Sequence, residues 1–108
     1  MRFALAHMSC AGGWAWGEVP ALLRAAGHEV DAPDFVLRAG ATPADHAAQF
    51  EGHADVVAGH SYGGLVAPIA AERLGAAAIV VFDGFIVDDG ESAASVHPER
   101  IAPRRAEA

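Results

Sequence analysis

The sequence predicts an α/β fold in which a parallel sheet of about four strands lies between two layers of helices, as a three-layer sandwich. Two observations carry this prediction. Short apolar runs alternate with helical patterns along most of the 108 residues, and such alternation is typical of right-handed strand–helix–strand units. The later apolar runs also lack polar alternation, which is typical of strands buried on both faces. At this length, a single domain is expected.

The first three predicted elements follow from the apolar pattern near the N-terminus. The run at 2–6 predicts a buried strand. Apolar residues at helical spacing predict a helix over 16–26, which Gly27 would end as a C-cap. A second strand is predicted at 28–32, ending before Pro33.

The remaining elements complete two more strand–helix units. A short helix is predicted near 43–50, a strand at 55–59, a helix at 62–74 and a strand at 77–82. The expected spatial order of the four strands is second, first, third, fourth. The residues predicted to be buried on both faces of the sheet are Val56, Val57, Ile79, Val80, Val81 and Phe82.

Composition divides the chain into a core and a tail. The core is predicted at 1–87, and the segment 88–108 changes to Asp, Glu, Ser, Arg and Pro, which is typical of a flexible tail. The net charge of −7 argues against nucleic acid or an anionic membrane as partner. Cys10 is the one cysteine, so a reducing, cytoplasmic location is expected. No histidine spacing indicates a metal site, and no cofactor is expected.

The most informative motif is Gly59-His60-Ser61-Tyr62-Gly63, which fits Gly-x-Ser-x-Gly. It follows a strand pattern and precedes a helix pattern, which is the context in which such a turn exposes a serine hydroxyl at a strand end. The free N–H groups of the following helix would face that serine. Ser61 is therefore the candidate nucleophile. A phosphate-binding loop is a poor alternative because no Gly-Lys-Ser/Thr follows. A ligand-binding crevice without covalent chemistry remains open.

A loop of small residues follows the first predicted strand, between His7 and Trp14. Its backbone N–H groups lie where an oxyanion could be bound. Taken alone, this loop favours an ordinary strand-to-helix turn.

Together, these stretches resemble the α/β-hydrolase fold family. The resemblance is to its small cofactor-free branch of hydroxynitrile lyases, plant methyl-ester esterases and bacterial esterase-like hydrolases. The matching blocks run in family order from residue 3 to about residue 92. They are His7, Gly12, Trp14, Ala26-Gly27-His28-Glu29-Val30, Ala32-Pro33-Asp34, Gly59-His60-Ser61-Tyr62-Gly63-Gly64 and Asp83-Gly84-Phe85.

The resemblance implies a serine esterase-like hydrolase that acts on a small carboxylic ester. It implies Ser61 as nucleophile and the backbone N–H groups of Tyr62 and Ser9 as donors to the oxyanion. The sequence also departs from the family. Met8 replaces a glycine, or the threonine of hydroxynitrile lyases, and the chain has no lysine, so cyanohydrin cleavage is not expected.

Family members are about twice this length, so the resemblance implies the nucleophile half of the fold and an incomplete, poorly active chain. No acid or base is identifiable with the same specificity. Asp83 could orient a histidine or cap the following turn, and His97 could serve Ser61 or lie exposed in the tail. Two alternatives remain open, a non-catalytic binding module and an acyltransferase.

An unpaired edge is predicted for the last strand, at 77–82. If no further strand follows it, the backbone groups from Ala77 to Phe82 face solvent or a second chain. Self-association through this edge is therefore expected.

Overall fold

Strands and helices alternate along the chain in the predicted order. A computed structural model describes residues 1–36 and 38–83. The tail at 88–108, His97, Gly84 and Phe85 lie outside these described residues. The elements are β1 (Arg2–Ala6), a 3₁₀ turn (Gly13–Trp16), α1 (Val19–Ala25), β2 (Glu29–Asp31), α2 (Pro43–Ala47), β3 (Val56–His60), α3 (Gly63–Leu74) and β4 (Ala78–Phe82).

The four strands form one parallel sheet in the order β2-β1-β3-β4, which confirms the predicted order. Ala6 pairs in register with Gly59, and His60 pairs with Phe82. Strands β1, β3 and β4 therefore end side by side at one edge of the sheet. The loop after β1 and the turn after β3 begin at that edge.

Helices cover the sheet on two faces. One face carries the main core, where Ala4, Ala6 and Val57 pack with the buried side of α3. Leu5 and Ala58 are also buried but lie outside this cluster, because successive side chains of a strand point to opposite faces. Right-handed crossovers place α1 on that second face. The three-layer arrangement is as predicted.

The prediction of complete burial for β4 is wrong. Ile79, Val80 and Phe82 are 45%, 40% and 52% exposed. Strand β4 lies last in the sheet order and has β3 as its one neighbour among the described strands. Val80 and Phe82 pair with Ala58 and His60 on the face away from α3, and α1 contacts β2 at the other side of the sheet. Ile79 pairs with Val57 on the α3 face and is exposed because β4 is the last described strand of the sheet.

The predicted helix at 16–26 begins later, at Val19. A 3₁₀ turn ends at Trp16, and Gly17 then takes a left-handed φ of 59°, which breaks the helical path. No residue of α1 is buried, and Leu22 is 64% exposed. No helix in the described part of the chain is long and apolar enough to span a membrane.

Candidate active site

Ser61 occupies the turn between β3 and α3 and has a left-handed φ of 54°. Its N–H donates to the carbonyl of Phe82 at 3.1 Å, and its own carbonyl accepts from Gly64 N–H at 2.9 Å. A non-glycine residue in this region is conformationally costly and is held there by its surroundings. The turn therefore holds the serine at the carboxyl edge of the sheet by a tertiary bond to the end of β4 and a local bond to the first turn of α3.

Gly59 and Gly63 are required because a side chain at either position would have no room. Their φ angles are not left-handed, since the left-handed residue of the motif is Ser61. A Cβ on Gly59 would overlap the carbonyl of Gly63, and a Cβ on Gly63 would overlap the carbonyl of Ala6. Helix α3 thus begins in direct backbone contact with the ends of β3 and β1. This close approach brings the turn that contains Ser61 beside the loop after β1.

Three backbone donors lie around this edge. In residues 1–36 and 38–83, no hydrogen-bond acceptor is recorded for the N–H groups of Ser9, Tyr62 or Gly63. Two of them open α3, where N–H groups lack partners within the helix. Whether the N–H groups of Ser9 and Tyr62 converge on one point stays a prediction.

His7 supports the loop after β1. The ring is buried, and its Nε2 accepts a hydrogen bond from Phe35 N–H at 2.9 Å. The proton is therefore on Nδ1, which donates to the carbonyl of Met8 at 2.6 Å. Since a trans peptide group is planar with its C=O and N–H opposed, this bond also sets the direction of Ser9 N–H. His7 therefore packs beside the loop after β1 and holds it by hydrogen bonds on both ring nitrogens.

A second buried histidine contacts Tyr62, the residue after Ser61. His46 Nε2 donates to the carbonyl of Val36 at 3.0 Å, and Nδ1 accepts from the hydroxyl of Tyr62 at 2.6 Å. The imidazole stacks on Phe35, with ring centroids 4.8 Å apart and planes 8° apart. The side chain of Tyr62 is thereby tied to α2 and to the 34–36 segment.

The phenol of Tyr62 is expected to resist ionisation. Burial, with a smaller effect of Asp45, raises its pKa to about 12. Tyr62 is the one tyrosine of the chain, so tyrosinate absorbance near 295 nm reports on it alone. We expect a midpoint near 12 in the folded protein and near 10 in denaturant. Because the folded pKa is the higher one, stability is full below pH 10 and falls as the pH rises toward 12. A folded-state midpoint near 10 would contradict the burial of this hydroxyl.

Asp83 follows β4 directly, at the same edge as Ser61. It is exposed and has a left-handed φ of 45°. Because Phe82 pairs with His60, Asp83 and Ser61 occupy equivalent positions after neighbouring strands. No described contact assigns a role to the carboxylate.

None of the five histidines in the described segments is hydrogen-bonded to Ser61. The rings of His7 and His46 have both nitrogens engaged. His28 and His53 lie at the opposite edge of the sheet. His28 is hydrogen-bonded to the N-terminal amine, and His53 to the carbonyl of Leu74 and the carboxylate of Asp55. The ring of His60 packs edge-on to Trp16, with centroids 6.3 Å apart.

Two open surface depressions occur away from Ser61. One, of about 410 Å³, lies between α2 and α3, and the other, of about 530 Å³, lies near Met1 and Asp55 at the opposite edge. Neither is lined by Ser61, Tyr62 or Asp83. The site is therefore assigned from the chemistry and geometry of its residues.

Comparison with known proteins identifies the family of the chain. No model of a protein family matches the sequence. Esterase PIR7B of rice (Oryza sativa subsp. japonica) is 39% identical over 90 aligned positions, covering 67% of this chain and 33% of that esterase. A carbendazim-hydrolysing esterase of Nocardioides sp. (strain SG-4G) is 30% identical over 119 aligned positions, covering 94% of this chain and 49% of that protein.

Solved structures of α/β-hydrolases have the same fold as this chain. An extracellular α/β-hydrolase from a Paenibacillus species superposes with a TM-score of 0.72 at 27% identity, over 99% of this chain and 50% of that one. The chain belongs to the α/β-hydrolase family. Polyneuridine aldehyde esterase shares the fold with a TM-score of 0.70 at 24% identity, over 96% of this chain and 47% of that one. This α/β-hydrolase chain spans a third to a half of the length of the curated relatives it matches.

Sequence reasoning missed the supporting layer of this α/β-hydrolase site. Asp34 Oδ1 accepts from Gly13 N–H at 2.6 Å, and Phe35 lies between the rings of His7 and His46. The Ala-Pro-Asp block marked Asp34 as a family position but gave it no partner. Nothing in the spacing of His46 indicated its contact with Tyr62, because the two residues belong to different helices.

Proposed function

We propose that this α/β-hydrolase chain carries the nucleophile of a serine esterase-like hydrolase that acts on small carboxylic esters through Ser61. The observation that carries the proposal is the left-handed serine at the carboxyl edge of the sheet, at the start of α3. The esterase names of the curated relatives support the reaction class. The activity and substrate of a whole protein containing this chain are part of the same proposal.

The reaction proceeds through an acyl-enzyme. The Oγ of Ser61 attacks the ester carbonyl carbon and loses its proton to a base, and the carbonyl oxygen becomes an oxyanion. Tyr62 N–H and Ser9 N–H are the proposed donors to that oxyanion. Collapse releases the alcohol, which takes up the proton, and water then hydrolyses the acyl group from Ser61 to give the acid.

A base and its orienting acid complete the proposal. Within this chain, His97 is the remaining histidine once the five described ones are assigned to other contacts or places, and it is the candidate base. Asp83 is the candidate acid, supported by its position beside Ser61. With this base unformed, Ser61 stays protonated and turnover is poor.

Covalent labelling tests the nucleophile independently of turnover. A fluorophosphonate ester forms a bond between phosphorus and the attacking Oγ, while fluoride leaves and the serine proton is lost to base or solvent. We expect one phosphonyl adduct on Ser61 by intact mass and peptide mapping, and none in Ser61→Ala. An adduct on another residue, or equal labelling of Ser61→Ala, would reject Ser61 as nucleophile.

We further propose that a second copy of the chain pairs with the edge of β4 that no described strand covers. The support is an edge strand whose residues Ile79, Val80 and Phe82 are exposed, since such edges recruit other strands. Analytical ultracentrifugation should show dimers or larger species. Ile79→Lys should shift them toward monomer, whereas Leu22→Lys, an equivalent change on α1, should not. A stable wild-type monomer would contradict this pairing.

We also propose a cytoplasmic location. The support is Cys10, an exposed free thiol and the one cysteine of the chain, which suits a reducing compartment.

A further inference from the structure

A tether joins the residue after the nucleophile to the short helix α2. The Tyr62 hydroxyl donates to His46 Nδ1 at 2.6 Å, and His46 is itself held because Nε2 donates to the carbonyl of Val36 at 3.0 Å. The carbonyl oxygen can only accept, so Nε2 carries the proton and Nδ1 is left as the acceptor. Both nitrogens of a ring that is 7% exposed are thus used in one orientation.

Helix α2 is too short to be stable alone and is fixed by its cap. Thr42 Oγ1 accepts from Asp45 N–H at 3.2 Å, and Asp45 Oδ2 accepts from Thr42 N–H at 2.9 Å. This reciprocal capping box satisfies two orphan donors of the first turn. The next residue is His46, so the cap sets the place from which the imidazole reaches Tyr62.

The tether acts on a residue whose own N–H is left without a described acceptor. Tyr62 lies between the left-handed Ser61 and the first residue of α3, and its N–H has no recorded acceptor in the described segments. Its carbonyl accepts from Leu65 N–H at 2.9 Å. The side chain therefore adds a restraint at Tyr62 itself to the backbone contacts that hold the start of α3.

We propose that His46 is a positioning residue, which holds the Tyr62 phenol and so fixes the direction of Tyr62 N–H toward the substrate oxygen at Ser61. This inference rests on the proposed function. Positional errors of about 1 Å in such a group cost roughly 10²-fold in rate. The hydroxyl also keeps its proton to high pH and so remains a donor toward Nδ1.

Two variants of His46 separate the tether from the bond to Val36. His46→Asn places an amide oxygen near the position of Nδ1 and keeps an acceptor for Tyr62. His46→Gln extends its amide to the position of Nε2, keeps a donor for Val36 and removes the acceptor for Tyr62. Far-UV circular dichroism and urea unfolding confirm that both variants are folded before they are compared.

The decisive readout uses the one tyrosine of the chain. Protein labelled with ¹⁵N-tyrosine gives a single amide signal, that of Tyr62, in a ¹⁵N–¹H spectrum. In His46→Gln we expect this signal to shift and broaden and the phenol to titrate at lower pH. We expect kcat for an activated ester to fall about 10- to 100-fold while KM changes little. His46→Asn should remain close to wild type in all four measurements.

An unchanged Tyr62 amide and phenol titration in folded His46→Gln would overturn the tether, whatever the activity. Equal losses of kcat in the Asn and Gln variants would also overturn it, since the loss would then not depend on the acceptor for Tyr62. If the wild-type chain hydrolyses no ester and Ser61 takes no phosphonyl group, the proposed function fails by that result. The oxyanion role assigned to the tether then fails with it, while the amide signal alone decides whether His46 holds Tyr62.

Discussion

Replacement of Ser61 by alanine is expected to reduce hydrolysis of p-nitrophenyl acetate by this chain to the rate in buffer. The alanine keeps the turn but removes the Oγ that forms the acyl-enzyme. In a complete serine-hydrolase site, loss of the serine alone lowers kcat by roughly 10⁶-fold. Here the measurable loss is bounded by the wild-type rate, which we expect to be low without an engaged base.

Two control variants sharpen this measurement. Ser9→Ala changes a hydroxyl in the oxyanion loop but keeps the backbone N–H, so turnover should be retained. His97→Ala reports on the base, and a strong wild-type rate lost in both Ser61→Ala and His97→Ala would mean that the chain builds its own compact dyad. Hydrolysis that is equal in wild type and Ser61→Ala would reject the nucleophile.

The largest loss of stability is expected from Gly63→Ala. The added Cβ would overlap the carbonyl of Ala6 in the central strand β1, so either α3 or β1 must move. Overpacking of this kind costs about 1–3 kcal/mol and sometimes more, and overlap with backbone falls at the upper end. Gly59→Ala, which meets the backbone of Gly63, should behave similarly.

A matched glycine separates lack of space from backbone strain. Gly52 has a φ of 78° and nothing within 4 Å of an added Cβ, so Gly52→Ala carries only the left-handed penalty of about 1–2 kcal/mol. Urea unfolding midpoints should therefore fall further for Gly63→Ala than for Gly52→Ala. The reverse order would show that α3 does not pack this closely on the sheet.

The sheet and its functional edge could be predicted because they depend on local pattern. Apolar runs located all four strands within about two residues, and the serine motif located the turn because its glycines have a steric role. The burial of β4 could not be predicted in the same way. A run such as Ile79 to Phe82 describes the side chains available for packing, and whether a layer covers them depends on elements elsewhere.

The support of the site was beyond sequence reasoning for a related reason. His7 and His46 act through bonds to Met8, Phe35, Val36 and Tyr62, and three of those four partners offer only backbone atoms. A hydrogen bond to a backbone atom does not depend on the type of the partner residue, so the sequence cannot indicate it. The contact of His46 with Tyr62 also joins two helices whose relative placement depends on the whole fold.

The buried interior of this protein consists mostly of alanine with a few larger side chains. On α3, the residues that face the sheet include Gly63, Ala67, Ala70 and Ala71. Such an interior has little volume to lose by truncation and little room to gain any. Substitutions that enlarge a buried side chain should therefore be the most destabilising here, whereas in a leucine-rich core the most destabilising ones are those that shorten it. In a library of random variants, the depleted interior substitutions should be those that enlarge a side chain, concentrated where the helix and sheet approach most closely.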